Sequence, residues 1–360
     1  MKITHSSPSQ ADGPETTDFD VDGLIEPAIL DAVAALDGRA PLLSGMVRYH
    51  LGYAGRDLRP LDPHAVDRGK RLRPTVALLA AGAAGGDPRV AAPVAAALEL
   101  LHNFTLIHDD VQDESPVRRH RPTVWSLWGV GQAINAGDAL FAASHLPLYQ
   151  LTSTSVSAEL ILRLLEAFDR MTIAIVEGQT QDLTLEARPD VTPGEYLEMI
   201  AGKTAAIVRF AAWAGALLGG ADEATASRWA EFGLSLGLGF QVRDDLLGIW
   251  GAQEATGKAP AEDVRRRKQS LPILILRERL NGAERDELRC LFSASNVDSA
   301  GVARVLALLE REAVRQAVEA VVAGYHDQAA AALIDATQPG DNPARDRLLA
   351  LVERLSSRSG

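Results

Sequence analysis

The chain has 360 residues, 47% of them hydrophobic and 23% charged, a balance that builds a buried core and excludes a disordered chain of low hydrophobicity. Its 48 acidic and 36 basic side chains leave a net charge of −12, which argues against a nucleic-acid reader and against non-specific binding to an anionic membrane. The lone cysteine, Cys290, rules out an intramolecular disulfide framework and a thiolate metal cage, and fits a reducing compartment.

Residues 1–20, MKITHSSPSQADGPETTDFD, carry Pro, Ser, Thr and acids where a signal peptide needs a continuous apolar stretch, and read as a disordered leader on a cytoplasmic protein. From there the chain is rich in Ala and Leu, poor in β-branched alternation and free of proline over long stretches, so an all-α fold is expected. The breakers predict helices over 21–37, 43–54, 73–84, 89–114, 123–134, 138–153, 156–186, 193–218, 222–250, 271–280, 283–293, 298–335 and 341–357. No linker in the middle separates two cores, so residues 21–360 are expected to form a single helical domain. No membrane span is expected: the run from Ala211 to Gly220 is too short and follows Arg209, and the stretch near Leu140 is interrupted by Asp138 and Pro147.

Two acidic pairs interrupt apolar helical segments. In ELLHNFTLIHDDVQDE (99–114), His102, Asp109 and Asp113 fall within about 20° of one line along a helix, so two carboxylates stand one turn apart on one face. Such a pair suits a hard cation, and Mg²⁺ needs only one or two carboxylates when phosphates supply the other ligands. Taken alone, the segment equally describes a solvated acidic helix end. The second pair, Asp244 and Asp245 in GFQVRDDLLGIWG (239–251), follows Gln241 on the same stripe, and carboxylates in the middle of a buried helix need cations or donors.

Three basic clusters stand against these acids: Arg68, Lys70, Arg71 and Arg73; Arg118, Arg119 and Arg121; and Arg265, Arg266, Arg267 and Lys268. Each alone describes a solvated patch. Together with the acidic pairs they describe diphosphate binding, because Arg and Lys grip phosphate oxygens directly while carboxylates approach them only through a divalent metal. The isolated His108, His145 and His326 and the five tryptophans read as structural, and Gly237 with Gly239 as helix packing, without the strand that a dinucleotide loop requires. Gln179 and Asp182 receive no direct chemistry.

In chain order the sequence contains GKRLRP (69–74), His102, DDVQD (109–113), Arg118-Arg119, GDAL (137–140), GQTQDL (178–183), KTA (203–205), FQVRDD (240–245) and Gly257-Lys258. This ordered series, from about Arg68 to Pro272, resembles the trans-isoprenyl diphosphate synthases of the polyprenyl synthetase family. The resemblance implies a helical bundle around a deep central cavity, usually as a homodimer, with the two acidic motifs facing each other. It implies the condensation of isopentenyl diphosphate with an allylic diphosphate.

Carried over residue by residue, it gives Asp109 and Asp113 two Mg²⁺ ions and Asp244 a third, with Asp110 and Asp245 supporting as acceptors or ligands. Arg118, Lys203 and Lys258 would grip the allylic diphosphate; Lys70, Arg73, His102 and Arg119 would bind the diphosphate of isopentenyl diphosphate. Thr204 and Gln241 would offer oxygen dipoles near the allylic cation. Three departures stand out: Arg68-Gly69 replaces the usual glycine pair, His120 follows the arginine pair where glycine is common, and Gly248 stands where many members carry a third aspartate of the second motif.

In this family the residues four and five before the first aspartate, here Thr105 and Phe104, help to form the floor of the chain pocket. Phe104 lies ~7.5 Å along the helix axis from Asp109, and a ring there points to geranylgeranyl diphosphate, with farnesyl diphosphate close behind. An ideal helical wheel sets Phe104 about 140° from Asp109, so the ring serves equally as an ordinary core phenylalanine. Two other functions compete. A class I terpene cyclase shares the first motif but usually has a mixed Asn/Ser/Glu second motif and lacks a GKRLRP clamp; a non-catalytic partner subunit typically loses the aspartates and arginines that this chain retains.

Overall fold

The computed structural model describes residues 20–62, 69–186, 188–251, 261–294 and 297–357. Residues 1–19, and with them nearly all of the expected leader, lie outside the described residues, as do Arg68, Gly257 and Lys258. The chain is helical almost throughout. In order come α1 (Val21–Ala34), α2 (Pro41–His50), α3 (Leu72–Ala83), α4 (Ala92–Gln112), a two-stranded hairpin β1 (Val117–Arg118) and β2 (Arg121–Pro122), α5 (Val124–Trp128), α6 (Val130–Ser144), α7 (Leu146–Tyr149) and α8 (Ala158–Glu186). Then follow α9 (Pro193–Ile200), a π-helical turn (Ala201–Ala205), α10 (Ala206–Leu218), α11 (Glu223–Trp250), α12 (Glu262–Arg265), α13 (Leu271–Arg279), α14 (Gly282–Ser293), α15 (Ser299–Arg311), α16 (Val314–Ala336) and α17 (Pro343–Ser356).

Local chemistry explains many of the boundaries. Asp20, Asp222, Asp298 and Asn342 each accept a backbone N–H of the first turn they precede, and Thr192 with Glu195 forms a reciprocal capping box at α9. Three sequence expectations need correction. The break expected between 134 and 138 falls instead at Gly129, whose φ of 86° only glycine adopts without strain, and α6 runs unbroken through Asn135. The helix expected over 298–335 is cut at Ala313, which turns left-handed with a φ of 50°; alanine is a strong helix former, so local propensity hides this break. The helix expected over 193–218 widens into the π turn at Ala201–Ala205.

Packing runs from helix to helix: α3 lies against α4 and α10, α10 against α11, and α11 against α16, while α8 crosses the π turn and α10. The buried apolar side chains fall into two clusters. One gathers Phe168, Trp229 and Phe232 with the small residues of α3, α4 and α10; the other gathers Met199, Val242, Leu246 and the aliphatic residues of α13, α15 and the start of α16. Both α11 and α16 contribute to the two clusters and tie them together. Among the described residues, two helical runs, Pro88–Gln112 and Pro193–Leu218, are long and apolar enough to cross a membrane, where the sequence led us to expect none. Most of each run is buried against other helices, which accounts for the apolar composition, and each carries the polar residues described next.

Candidate active site

A cavity of about 1080 Å³ opens between α4, α8 and the middle of α11, and is bounded at one end by the start of α3 and the hairpin. It stands just above the roughly 300–1,000 Å³ usual for small-molecule sites. His102, Phe104 and Asp109 of α4 reach its wall. Burial pushes the Asp109 carboxyl up to about 6; Lys203 opposes the shift and the neighbouring Asp113 adds to it. Asp113 itself caps the end of α4 and is exposed. Asp110 points the other way: it is buried and accepts a hydrogen bond of 2.8 Å from Nε of Arg118. It is thus an acceptor that orients a cavity arginine rather than a wall carboxylate.

The hairpin turn consists of Arg119 and His120, both left-handed with φ of 49° and 60°, the backbone of a type I′ turn. This turn sets Arg118 and Arg119 side by side at the cavity. Arg121 anchors it, donating to the carbonyls of Tyr49 at 3.0 Å and Ala54 at 2.9 Å. Gly69 completes the contact. Its φ is 87°, and a Cβ there would lie 2.4 Å from the Arg119 guanidinium, so glycine lets the loop before α3 close against that arginine.

Lys70 and Arg73 line the same end. Between them Arg71, with a left-handed backbone, also reaches the lining and pairs with Glu99 at 2.6 Å, Asp22 at 3.1 Å and Glu26 at 3.5 Å. This buried network, which sequence reasoning missed, fixes the start of α3 to α1 and α4. His102 is held well below the usual imidazole range, first by burial and then by the charge of Arg73, Arg119 and Arg118; it faces the cavity as a neutral donor.

Across the cavity, Lys203 and Thr204 sit in the π turn. The extra residue in that wide turn changes the direction of side chains relative to an α-helix. Gly178 of α8 admits it: a Cβ at 178 would stand 2.3 Å from the Lys203 nitrogen. Lys203 pairs with Asp182, to which the sequence reading assigned no chemistry. Thr204 donates to Oε1 of Gln241 at 3.0 Å, and Gln241 and Asp244 of α11 complete the wall. Asp245 lies behind it, fully buried, accepting from Tyr196 Oη, from Leu271 N at 3.3 Å and from Gln241 Nε2 at 3.2 Å.

The geometry is therefore one cavity with cations at one end, two opposed acidic motifs, and an apolar wall that includes Ile175, Leu183 and Phe240. The family model described as Polyprenyl synthetase matches residues 43–309. The chain belongs to the polyprenyl synthetase family. This prenyltransferase is 40% identical over 317 residues, 88% of each chain, to the geranylgeranyl diphosphate synthase of Mycobacterium tuberculosis. It is 42% identical over 250 residues, 69% of this chain and 67% of the other, to the (2E,6E)-farnesyl diphosphate synthase of Mycobacterium bovis. Among solved structures, the polyprenyl synthetase of Streptomyces coelicolor A3(2) matches with a TM-score of 0.82 and 37% identity, over 93% of this chain and 97% of that one.

In this prenyltransferase the structure thus brings Lys70, Arg73, His102, Phe104, Asp109, Arg118, Arg119, Lys203, Thr204, Gln241 and Asp244 to one cavity. Asp110 and Asp245 stand behind its walls as acceptors, and the sequence expectation that left them open as metal ligands is narrowed accordingly. The C-terminal α17 adds Leu351, Arg354 and Leu355 to the lining, a contribution that no motif announces. Among the described residues no three His, Cys, Asp or Glu side chains converge to hold a metal by themselves. A hard cation nevertheless fits the donors present. Asp109 and Asp244 offer anionic oxygens into a cavity whose burial and like charge leave Asp109 short of compensation, and the remaining Mg²⁺ ligands would come from a diphosphate.

Proposed function

We propose that this chain condenses isopentenyl diphosphate with allylic diphosphates and releases geranylgeranyl diphosphate. Lys70, Arg73, Arg119 and the neutral His102 hold the diphosphate of isopentenyl diphosphate; Arg118 and Lys203 hold that of the allylic substrate, with Lys258 assigned to the same grip from the motif alone. Mg²⁺, three ions in our reading, neutralises the allylic diphosphate when bound and so favours its departure. Asp109 and Asp113 on one side and Asp244 on the other would hold these ions. Fixed cations aimed at the leaving group lower the barrier in the same sense. Thr204 and Gln241 are tied to each other at the wall, so they present oxygen dipoles to the allylic carbon without adding a strong nucleophile. The apolar wall excludes water, and no protein base is required, since the departing diphosphate accepts the final proton.

The product assignment is carried by Phe104. Its ring stands in the cavity wall and packs against Phe141 at 5.4 Å and His108 at 4.8 Å, and we read this aromatic group as the floor of the chain pocket. The relative matched over 88% of its length, named a geranylgeranyl diphosphate synthase, supports the same reading. The test is incubation with Mg²⁺, isopentenyl diphosphate and, separately, the five-, ten- and fifteen-carbon allylic diphosphates. A twenty-carbon alcohol after dephosphorylation is expected from each, and arrest at fifteen carbons makes the enzyme a farnesyl diphosphate synthase. Phe104→Ala removes the floor and is expected to extend the products beyond twenty carbons, resolved by chromatography and mass. An unchanged product length would return Phe104 to the core.

We also propose a homodimer. Val130, Ile134 and Phe141 on α6 and Leu162 and Ile173 on α8 are exposed apolar side chains at helical spacing, and large apolar faces of this kind mark protein interfaces.

A further inference from the structure

Arg71 starts α3 in a left-handed backbone, with φ of 48° and ψ of 33° and no side-chain cap. A residue with a Cβ keeps such a backbone only where its surroundings over-determine it, and the Arg71 side chain, 8% exposed, is held by three carboxylates. Glu99 of α4 is one, and it accepts in turn from Nδ2 of Asn103 at 2.9 Å. Asp22 and Glu26 of α1 are the others. The Glu26 carboxylate is itself fixed: Oε1 faces the Arg71 guanidinium, and Oε2 accepts from Tyr53 Oη at 2.7 Å. Tyr53 lies between α2 and α3, in a stretch that also anchors the hairpin. The carbonyls of Tyr49 and Ala54 accept from Arg121, whose guanidinium lies 4.1 Å from the centre of the Tyr49 ring, and Tyr49 Oη donates to the carbonyl of Pro122 at 2.8 Å. One short segment, Tyr49 to Ala54, thus braces both cationic arms at this end of the cavity, the loop before α3 through Glu26 and Arg71 and the hairpin through Arg121.

We infer that Tyr53 and Glu26, neither of which lines the cavity, are positioning residues for isopentenyl diphosphate: through Arg71 they hold Lys70 and Arg73 in register with Arg119 of the hairpin. Lys70 precedes the left-handed residue and Arg73 follows it by two, so a change of backbone at 71 redirects both. A guanidinium fork matched to several carboxylates is fixed in orientation as well as in place. Without the Tyr53 hydroxyl, the Glu26 carboxylate is free to turn towards water. Without the Glu26 charge, Arg71 keeps one buried partner, Glu99, and one exposed partner, Asp22. Asp22 is more than half exposed, so its pair is screened by solvent and holds the guanidinium weakly. The allylic grip is supported separately, Arg118 by Asp110 and Lys203 by Asp182. Loosening Arg71 therefore weakens the hold on one diphosphate and spares the other.

The inference deepens the synthase reading and rests on it for the substrate that it positions. Its test compares Tyr53→Phe, Glu26→Gln and Asp22→Asn with the parent in kcat, in KM for each substrate, in calorimetric affinity for isopentenyl diphosphate and in thermal midpoint. Tyr53→Phe and Glu26→Gln are expected to raise KM for isopentenyl diphosphate about three- to tenfold, with kcat and the allylic KM kept within about twofold. Asp22→Asn is expected to leave all of them within about twofold. A residue that only supports the fold would lower the midpoint and the active fraction and leave both KM values in place. Because the effect runs through Arg71, Tyr53→Phe placed in an Arg71→Gln background is expected to add less than about twofold. Four results would each overturn the inference with the synthase reading intact: an unchanged KM for isopentenyl diphosphate, equal rises for both substrates, a full further effect in the Arg71→Gln background, or an Asp22→Asn enzyme as impaired as Glu26→Gln. If the parent binds isopentenyl diphosphate but forms no prenyl product, the synthase reading fails and the calorimetric affinities alone decide the inference. If it does neither, both fall together.

Discussion

Asp109 shows how burial shapes a single carboxyl before any ligand arrives. Its folded value of about 6 stands above the ~3.9 of an unfolded aspartate, so between about pH 4 and 6 the folded state binds more protons than the unfolded state. Stability contributed at this site is therefore lost as pH rises through that window. The cost at neutral pH is up to about 3 kcal/mol. Asp109→Asn is expected to stabilise the ligand-free protein by about 1–3 kcal/mol at pH 7.5, with the gain vanishing near pH 4, in urea unfolding at both pH values. The same variant is expected to lower condensation by at least about a hundredfold. A variant with the parent's pH dependence would show that Asp109 is solvated in solution. The residue types here were legible from the sequence, because a DDVQD segment within apolar residues needs cations. Which of Asp109 and Asp110 faces the cavity was not, since the two are adjacent and Arg118, eight residues further on, chooses between them.

At the scale of elements, the hairpin and the π turn set Arg118, Arg119 and Lys203 at the cavity, and neither was visible in helical periodicity. The hairpin turn puts Arg119 and His120 in left-handed backbone, a conformation that costs a residue with a Cβ roughly 1–2 kcal/mol. His120 is exposed, so His120→Gly is expected to stabilise the protein by about 1 kcal/mol and raise its thermal midpoint by about 1–3 °C, with KM for isopentenyl diphosphate retained. A fall in the midpoint would mean that the imidazole makes a contact worth more than the strain. Gly178→Ala tests the π turn. The added methyl meets the Lys203 backbone, so a loss of about 1–3 kcal/mol in urea unfolding and a raised KM for the allylic diphosphate are expected. Parent-like values for both would show that α8 and the turn separate freely. Helix positions were largely legible because Ala, Leu and the capping residues act locally. The left-handed break at Ala313 and the widened turn at Ala201–Ala205 were not, because packing between distant helices imposes them against local propensity.

For the whole molecule, the proposed homodimer is tested on the exposed apolar side chains of α6 and α8. Sedimentation at micromolar concentration is expected to give a dimer, and the double variant Ile134→Asp and Ile173→Asp a monomer, since two charges on an apolar face must be desolvated to pair it. A monomeric parent protein would leave that stripe to another partner. The two acidic motifs also belong to this scale: α4 and α11 lie far apart in sequence, and packing that runs from α4 through α3 and α10 to α11 brings Asp109 and Asp244 to one cavity.

By itself the sequence determined the all-α class, the acidic and basic motifs and, through their order, the family, because composition, helical spacing and short chemical motifs are local properties that survive without coordinates. Tertiary structure alone decided which carboxylates face the cavity, how Arg71 is tied to three acidic side chains beside it, that α17 lines one side, and that Asp263 fills the space beside Gly248. Each of these depends on groups remote in the chain competing for one buried volume, and in a buried volume it is the nearest charge and the available space that decide where a side chain points.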